Sequence, residues 1–301
     1  VTPYSFIASA SCPLMVRARS EPQPTPFFID IDPESYTIPV SSPWPQVILD
    51  EIKVVIPVHL LGHSADIDQI YKPSDCYIIE DNAQGLGAKY KGRLCGTLGD
   101  ISTFSFQYTK TITTMGEGGM VLTKDPEFYD RLIKIRSHGS QYADTPYQTY
   151  NYRMTEPQAA FGLAQMNRLD DFLSTQKRNA EYVISHLPRG LKPPRVLSNV
   201  EHSFFLIGCV YDSKEAGMTR ERFIERCTQE GVNTGQPGAN IGAGYSKPLY
   251  RFPLLKPYAP REPLENVEDI VKKSVWLDMH RWRSLEEVKA DLEKMTRILE
   301  A

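Results

Sequence analysis

The sequence has few cysteines, and no pattern pairs them. The five cysteines form no C-x-x-C motif, and an odd number of widely spaced cysteines does not suit a disulfide-stabilised scaffold. The beginning of the sequence also lacks the cationic region of a secretory signal peptide. We therefore expect reduced thiols and a cytoplasmic protein.

Long apolar runs and an excess of basic residues are missing as well. No stretch approaches the roughly 18 apolar residues of a membrane-spanning helix, and the formal net charge is −3. These two absences disfavour a membrane protein and a protein that attracts nucleic acid through a basic surface. We predict no membrane contact, no nucleic-acid partner and no metal site.

Two common phosphate-binding motifs are absent. The sequence contains no G-x-x-x-x-G-K-[ST] loop, and the glycines around Gly85 and Gly87 do not form G-x-G-x-x-G. A nicotinamide-binding Rossmann domain is therefore disfavoured. With 301 residues, 41% of them hydrophobic, the chain is long enough for about two globular domains.

The distribution of proline and of apolar runs predicts an α/β fold. Nine of the 23 prolines lie in the first 46 residues, so we expect an irregular stretch with one short strand at residues 27–31. The apolar runs at residues 53–58 and 76–80 are typical of strands buried on both faces of a parallel sheet. Two further strands are predicted at residues 100–106 and 119–123.

Capping residues predict the starts of three helices. Asp125 precedes Pro126 at the start of one helix. Thr155 begins a Thr-x-x-Gln capping box, from which we expect one long helix that ends before Pro188 and bridges two domains. Ser284 begins the box of a last helix. The remaining predictions are a strand at residues 204–210, a helix after Thr219, a large domain over residues 1–175 and a smaller α+β domain over residues 176–301.

Residues 80–119 hold the side chains best suited to chemistry. Asp81 follows an apolar strand, and ligands of open α/β sheets bind at the carboxyl ends of strands. An acid there can hold a cation or a protonated ring nitrogen, although taken alone it can equally be a helix N-cap or a loop acid. Lys110 follows the next strand; a lysine in a cleft loses its proton by desolvation and becomes a nucleophile, whereas most loop lysines are simply solvated.

Three motifs in this region resemble those of a known family. They are D-x-A-Q at residues 81–84, S-F-x-x-x-K at residues 105–110 and G-E-G-G at residues 116–119, of which the last, taken alone, reads as a hairpin turn. In combination they resemble the motifs of the DegT/DnrJ/EryC1/StrS aminotransferases, and the resemblance covers nearly the whole chain. It implies a pyridoxal-phosphate (PLP) enzyme of fold type I, with a large mostly parallel αβα domain and a smaller C-terminal α+β domain.

The resemblance implies roles for six residues of this sequence. Lys110 would form the Schiff base with PLP and carry the proton between cofactor and substrate carbon. Asp81 would pair with the pyridinium nitrogen so that the ring acts as an electron sink, and Gln84 would contact the 3-oxygen side of the ring. The other three would also contact the cofactor: Phe6 would stack on the ring, Ser105 would donate to the phosphate, and Asn151 would reach the phosphate from the partner subunit, which implies a homodimer with shared sites.

The segments at residues 99–106, 110–121 and 151–155 are most similar to the perosamine-synthase-like branch of the family. The implied substrate is a 4-keto-6-deoxyhexose on a nucleoside diphosphate, aminated at the expense of glutamate in cell-surface polysaccharide or amino-sugar biosynthesis.

The resemblance also leaves alternatives open. Family members have several tens of residues before the position of Val1, including a Gly-Thr-x-Ala loop that holds the phosphate. We therefore expect that the sequence lacks the family's N-terminal segment. The alternative to an active aminotransferase is an inactive truncated or degenerate member that acts as a non-catalytic or partner subunit. Lys110 argues against a third possibility, the sugar dehydratases, in which histidine replaces the lysine.

Overall fold

The computed structural model describes residues 14–17, 25–39, 52–70, 72–138, 145–232, 247–278 and 281–301. Its helices and strands alternate in the central part of the chain. The strands are β1 (Leu14–Arg17), β2 (Thr25–Phe28), β3 (Ile52–Ile56), β4 (Tyr77–Asp81), β5 (Lys89–Tyr90), β6 (Arg93–Leu94), β7 (Ile101–Ser105), β8 (Gly119–Thr123), β9 (Leu191–Lys192), β10 (Val200–Glu201), β11 (Leu206–Tyr211) and β12 (Ser274–Asp278). The helices are α1 (Pro126–Arg136), α2 (Glu156–Met166), α3 (Leu169–Ser185), α4 (Ser213–Ala216), α5 (Arg220–Gln229), α6 (Glu265–Lys273) and α7 (Leu285–Glu300).

A six-stranded sheet with the order β2-β1-β3-β4-β7-β8 forms the larger part of the described structure. Strands β3, β4 and β7 are parallel, whereas β1, β2 and β8 pair antiparallel to their neighbours. The α/β class is therefore confirmed, but within the described residues the sheet is mixed rather than mostly parallel. Its parallel centre brings the carboxyl ends of β4 and β7 side by side.

The described part of the proline-rich start of the chain contains two short strands instead of one. Pro26 lies in β2, which is an edge strand of the described sheet, where a missing amide donor is tolerated. The predicted strand at residues 27–31 ends early, at Phe28. Asp30 instead accepts hydrogen bonds from the amides of Asn266 (2.9 Å) and Val267 (3.0 Å), the first turn of α6.

The predicted helix starts are confirmed, but the prediction of one long bridging helix after Thr155 was wrong. Asp125 caps α1 by accepting from two backbone amides, and the predicted boxes at Thr155 and Ser284 are both present. The stretch after Thr155 is two helices, α2 and α3, because Asn167 closes the last turn of α2 and Arg168 has non-helical backbone angles. Each helix has its own apolar positions, so their periodicity alone did not mark the break.

The C-terminal part is built on the antiparallel sheet β12-β11-β9. Strand β11 pairs with β12 from Leu206↔Asp278 to Val210↔Ser274, and α5 and α7 cover this sheet. The core also takes two residues from α3, the helix that contains the predicted domain boundary at residue 175; that boundary stays a prediction. The central side chains of this C-terminal core are Ala180, Val183, Ile207, Cys209, Phe223, Val275, Val288 and Met295.

The four cysteines in the described part of the chain are buried and free. Among the described residues, no helix combines the length and the apolar character that crossing a membrane requires. The cytoplasmic location stays a prediction.

Candidate active site

Asp81 and Lys110 come from the carboxyl ends of two neighbouring parallel strands. Asp81 is the last residue of β4 and pairs with Thr103 of β7. Lys110 lies in residues 106–118, which connect β7 to the antiparallel strand β8. The structure therefore brings both residues to the same edge of the sheet.

The connection that carries Lys110 is a closed loop rather than a tight hairpin. The amide of Phe106 donates to the carbonyl of Gly118 (2.8 Å), and the amide of Tyr108 donates to the carbonyl of Gly116 (2.7 Å). Within the loop, the amide of Lys110 donates to the carbonyl of Gln107 (2.8 Å). These bonds fix the backbone on both sides of the lysine.

Helices α2 and α3 hold the loop from outside. Phe106 and Ile112 pack against Phe172 of α3. Gly162 of α2 faces the loop so closely that a Cβ atom there would lie 2.9 Å from the Thr114 methyl group. The loop is thus supported along its length by packed side chains, which keeps the lysine in one place.

Asp81 is buried, and one of its carboxylate oxygens faces no partner. Oδ1 accepts from the amide of Ala83 (2.9 Å), while Oδ2 makes no hydrogen bond within the described part of the chain. Burial raises the pKa of the Asp81 carboxyl, and the Ala83 amide, Lys110 and His59 oppose this rise. A buried acceptor in this state is prepared to receive a hydrogen bond from a ligand.

Lys110 is largely withdrawn from water. Burial lowers the pKa of its amine, whereas the charges of Asp81 and Glu117 act in the opposite direction. Its Nζ lies 5.1 Å from the centre of the buried Phe205 ring. Burial therefore increases the fraction of neutral amine at Lys110, which is the form that attacks a carbonyl.

Gln84, three residues after Asp81 in the chain, is oriented by an unusual backbone segment. Its Oε1 accepts a hydrogen bond from the amide of Leu61 (2.7 Å), so its amide group points its donor side elsewhere. Leu61 has a φ of +59° and Gly62 a φ of +98°. For leucine this left-handed conformation is sterically unfavourable, and such strain is concentrated at functional sites.

Of the other three predicted residues, the structure describes Ser105 and Asn151. Ser105 ends β7, and its Oγ accepts from the amide of Gln107 (3.3 Å), which leaves its hydrogen available to donate. Asn151 is exposed and forms an isolated antiparallel backbone bridge with Ser137; a residue that acts on a partner subunit is expected on the surface. Phe6 lies outside the described residues.

Four residues near the site were missed by sequence reasoning. Phe205 lies under the Lys110 amine, and Arg281 donates to the Lys110 carbonyl and to Gln165 Oε1 (3.2 Å). Glu80 and His59 form a buried pair directly behind Asp81. A charged residue inside an apolar strand, as at Glu80, was the one signal in the sequence that could have been used.

Comparisons with known proteins agree with this arrangement. The model of the DegT/DnrJ/EryC1/StrS aminotransferase family matches residues 1–296. GDP-perosamine synthase of Escherichia coli O157:H7 is 39% identical over 64% of this chain and 54% of its own length; that of Caulobacter vibrioides is 34% identical over 78% and 63%. The chain thus spans less than two thirds of the length of these relatives.

A solved structure shares the fold. The DegT DnrJ EryC1 StrS aminotransferase from Brucella abortus superimposes with a TM-score of 0.78 at 25% identity, covering 91% of this chain and 72% of that chain. The fold is therefore that of the PLP-dependent aminotransferases of fold type I. From the family match, the shared fold and the position of Asp81 and Lys110, the chain belongs to the DegT/DnrJ/EryC1/StrS aminotransferase family.

Proposed function

We propose that the protein is a PLP-dependent aminotransferase that acts on a nucleotide-linked keto-sugar. The observation that supports this most strongly is the pairing of two groups at the strand ends. A buried carboxylate with a vacant acceptor, Asp81 Oδ2, interacts electrostatically with a desolvated lysine, Lys110. An aldehyde cofactor with a protonated ring nitrogen requires such a pair.

The residues present fit PLP. Lys110 would hold its aldehyde carbon, Asp81 its ring nitrogen, and Gln84 the oxygen of the ring. Ser105 would contribute one donor to the phosphate, and Phe6 would stack on the ring as the resemblance implies. When bound, PLP withdraws electrons from the substrate carbon that loses a proton.

Each side chain has a task that follows from its surroundings. Because Asp81 is buried, its charge is poorly screened and holds a proton on the ring nitrogen more strongly than it would in water. The neutral amine of Lys110 could bond to a carbonyl carbon with loss of water. Once a substrate amine has displaced it from that carbon, the freed amine could accept a proton from the substrate carbon and return it. The Leu61 amide occupies the oxygen of Gln84, which orients the Gln84 amide as a donor.

The substrate class is inferred from relatives. Both perosamine synthases named above are, by name, enzymes of a GDP-linked amino sugar. We extend this to a 4-keto-6-deoxyhexose on a nucleoside diphosphate, with glutamate as amino donor. Amino transfer from glutamate to a panel of nucleotide-linked keto-sugars tests this inference; product formation that requires Lys110 supports it, and the absence of amino transfer to every member contradicts it.

Binding of the cofactor is tested separately by titration with PLP. We expect a visible absorbance band of lysine-bound PLP that is absent in Lys110→Ala and retained in Lys177→Ala, a matched exposed lysine on α3. A protein that gives no band would support the alternative, a non-catalytic member of the family. The four retained groups at residues 81, 84, 105 and 110 favour the active form.

We also infer that the protein forms a homodimer with shared sites. Three consecutive residues of β8, Met120, Val121 and Leu122, are exposed, so both faces of this strand are uncovered. Leu163 and Met166 of α2 are exposed as well, and α2 packs beside the Lys110 loop. A second copy that covers these residues would lie next to the site, where Asn151 of one subunit could reach the phosphate in the other.

A further inference from the structure

Glu80, the residue before Asp81, is a fully buried carboxylate that accepts four hydrogen bonds. Burial opposes ionisation, but these donors outweigh it and hold the pKa of the Glu80 carboxyl below its usual value. The donors are the amides of Gly96 (2.7 Å), Leu98 (2.7 Å) and Gly99 (2.6 Å) and the Nε2 of His59 (2.8 Å).

The hydrogen bonds of His59 define its tautomer. Its Nδ1 lies 3.0 Å from the amide of Ala65, which can only donate, so Nδ1 must be the acceptor. The hydrogen is therefore on Nε2, and a neutral imidazole donates to Glu80. All four partners of Glu80 are thus donors, two on each oxygen, and only an ionised carboxylate offers acceptors on both sides.

The same histidine also holds the backbone of Asp81. The amide of His59 donates to the carbonyl of Asp81 (3.0 Å), and the amide of Asp81 donates to the carbonyl of Pro57 (2.9 Å). Glu80 and Asp81 are consecutive in β4, so their side chains face opposite sides of the strand. The bonds made by Glu80 on one side therefore anchor the strand end that presents Asp81 on the other.

Stability alone is a weak reason for such an arrangement. A buried charged network is often no more stabilising than well-packed apolar residues of the same size. A carboxylate that must face a ligand atom, however, needs support that fixes it to within about 0.5 Å. We propose that Glu80 and His59 are positioning residues that hold the Asp81 carboxylate in its productive place relative to Lys110; the part of this proposal that concerns PLP rests on the proposed function.

The first experiment uses the protein without cofactor. The pH dependence of Lys110 acetylation by trace acetic anhydride, read by mass spectrometry, reports the pKa of the Lys110 amine. Glu80→Gln places an amide hydrogen against a donor, which displaces Asp81 and weakens the charge that raises this pKa. We expect the pKa of Lys110 to fall in Glu80→Gln and in Asp81→Asn.

The double variant Glu80→Gln/Asp81→Asn separates positioning of Asp81 from a direct effect of the Glu80 charge on Lys110. If Glu80 acts through Asp81, Glu80→Gln changes the pKa of Lys110 in the wild-type background and leaves it unchanged in the Asp81→Asn background. An equal change in both backgrounds, or none in either, would overturn the proposal. This result does not depend on whether the protein binds PLP, so the proposed function and this inference can fail independently.

The second experiment measures PLP affinity by absorbance. Loss of a hydrogen-bond partner that orients a ligating group lowers affinity by about 10- to 100-fold at protein metal sites, and we expect at least the lower figure in Glu80→Gln. His59→Asn keeps an acceptor for Ala65 but removes the donor to Glu80, and should also weaken binding. Val288→Ala, a buried change in the C-terminal core, is the control for lost stability. Equal PLP affinities of Glu80→Gln, His59→Asn and Val288→Ala would contradict the proposal.

Discussion

Asp81 illustrates how burial and strand position together make a functional carboxylate. It ends a parallel strand, it is nearly inaccessible to water, and only one of its oxygens is bonded within the described structure. In that setting a positive partner is worth more than it would be in solvent. The interaction with Lys110 partly offsets the desolvation of both groups.

Replacement of Asp81 tests whether its buried charge contributes to PLP binding. Asp81→Asn keeps the shape and removes the charge. A hydrogen bond to a charged group contributes about 1.5–3 kcal/mol, so we expect PLP affinity to fall by about 10- to 100-fold, as measured by absorbance titration. Asp170→Asn, at an exposed position of α3, should leave it unchanged; unchanged affinity in Asp81→Asn would contradict the assigned role.

At the scale of elements, two loops interlock next to the site. One contains residues 61–63, of which Leu61 binds Gln84, and the other contains residues 197–203 with the two-residue strand β10. The amide of Ser203 donates to the carbonyl of Gly62 (3.0 Å), and the amide of Leu197 donates to Nε2 of His63 (3.2 Å). The His63 and His202 rings meet edge to face at 5.5 Å. Because both histidines are buried, the loops fit together only while these rings are neutral.

The buried histidine pair between these two loops predicts that the folded protein becomes less stable in acid. Burial lowers the pKa of His63 from 6.5 to about 4. Between these values the unfolded chain binds more protons than the folded one, so stability falls as the pH falls from 6.5 to 4. The loss from His63 is on the order of 3 kcal/mol.

Urea unfolding at several pH values measures this loss. His63→Gln keeps an acceptor for the Leu197 amide but cannot titrate, so its free energy of unfolding should depend less steeply on pH than that of the wild type in this window. Identical pH profiles for the two proteins would show that His63 does not titrate as the structure indicates.

Some features of the helices and strands could be predicted from the sequence, and others could not. Helix N-caps were predictable because they depend on neighbouring residues, as at Asp125 and Ser284. The break between α2 and α3 and the antiparallel direction of β8 could not be predicted. Both depend on packing against residues distant in the sequence, which local periodicity does not reveal. The partners of Glu80 come from residues 59 and 96–99, so the chemistry of Asp81 was predictable but its support was not.

At the scale of the whole molecule, exposed apolar residues on β8 and α2 are the basis for a homodimer. Burying one leucine contributes about 1.5–3 kcal/mol, so a charge at the centre of the interface should weaken association more than tenfold. We expect Leu163→Glu to be monomeric by light scattering coupled to size exclusion. Leu254→Glu, at a residue that is 78% exposed and distant in sequence, is the control and should remain dimeric; a monomeric wild type would contradict the proposal.

The central claim is that Lys110 is the residue that holds PLP. The most direct measurement is incubation with PLP, reduction with borohydride to fix the link as a secondary amine, and identification of the modified peptide by mass spectrometry. The account predicts that Lys110 carries the label and that its modification falls sharply in Asp81→Asn. Labelling of another lysine in preference to Lys110, or no labelling above that of unfolded protein, would contradict it.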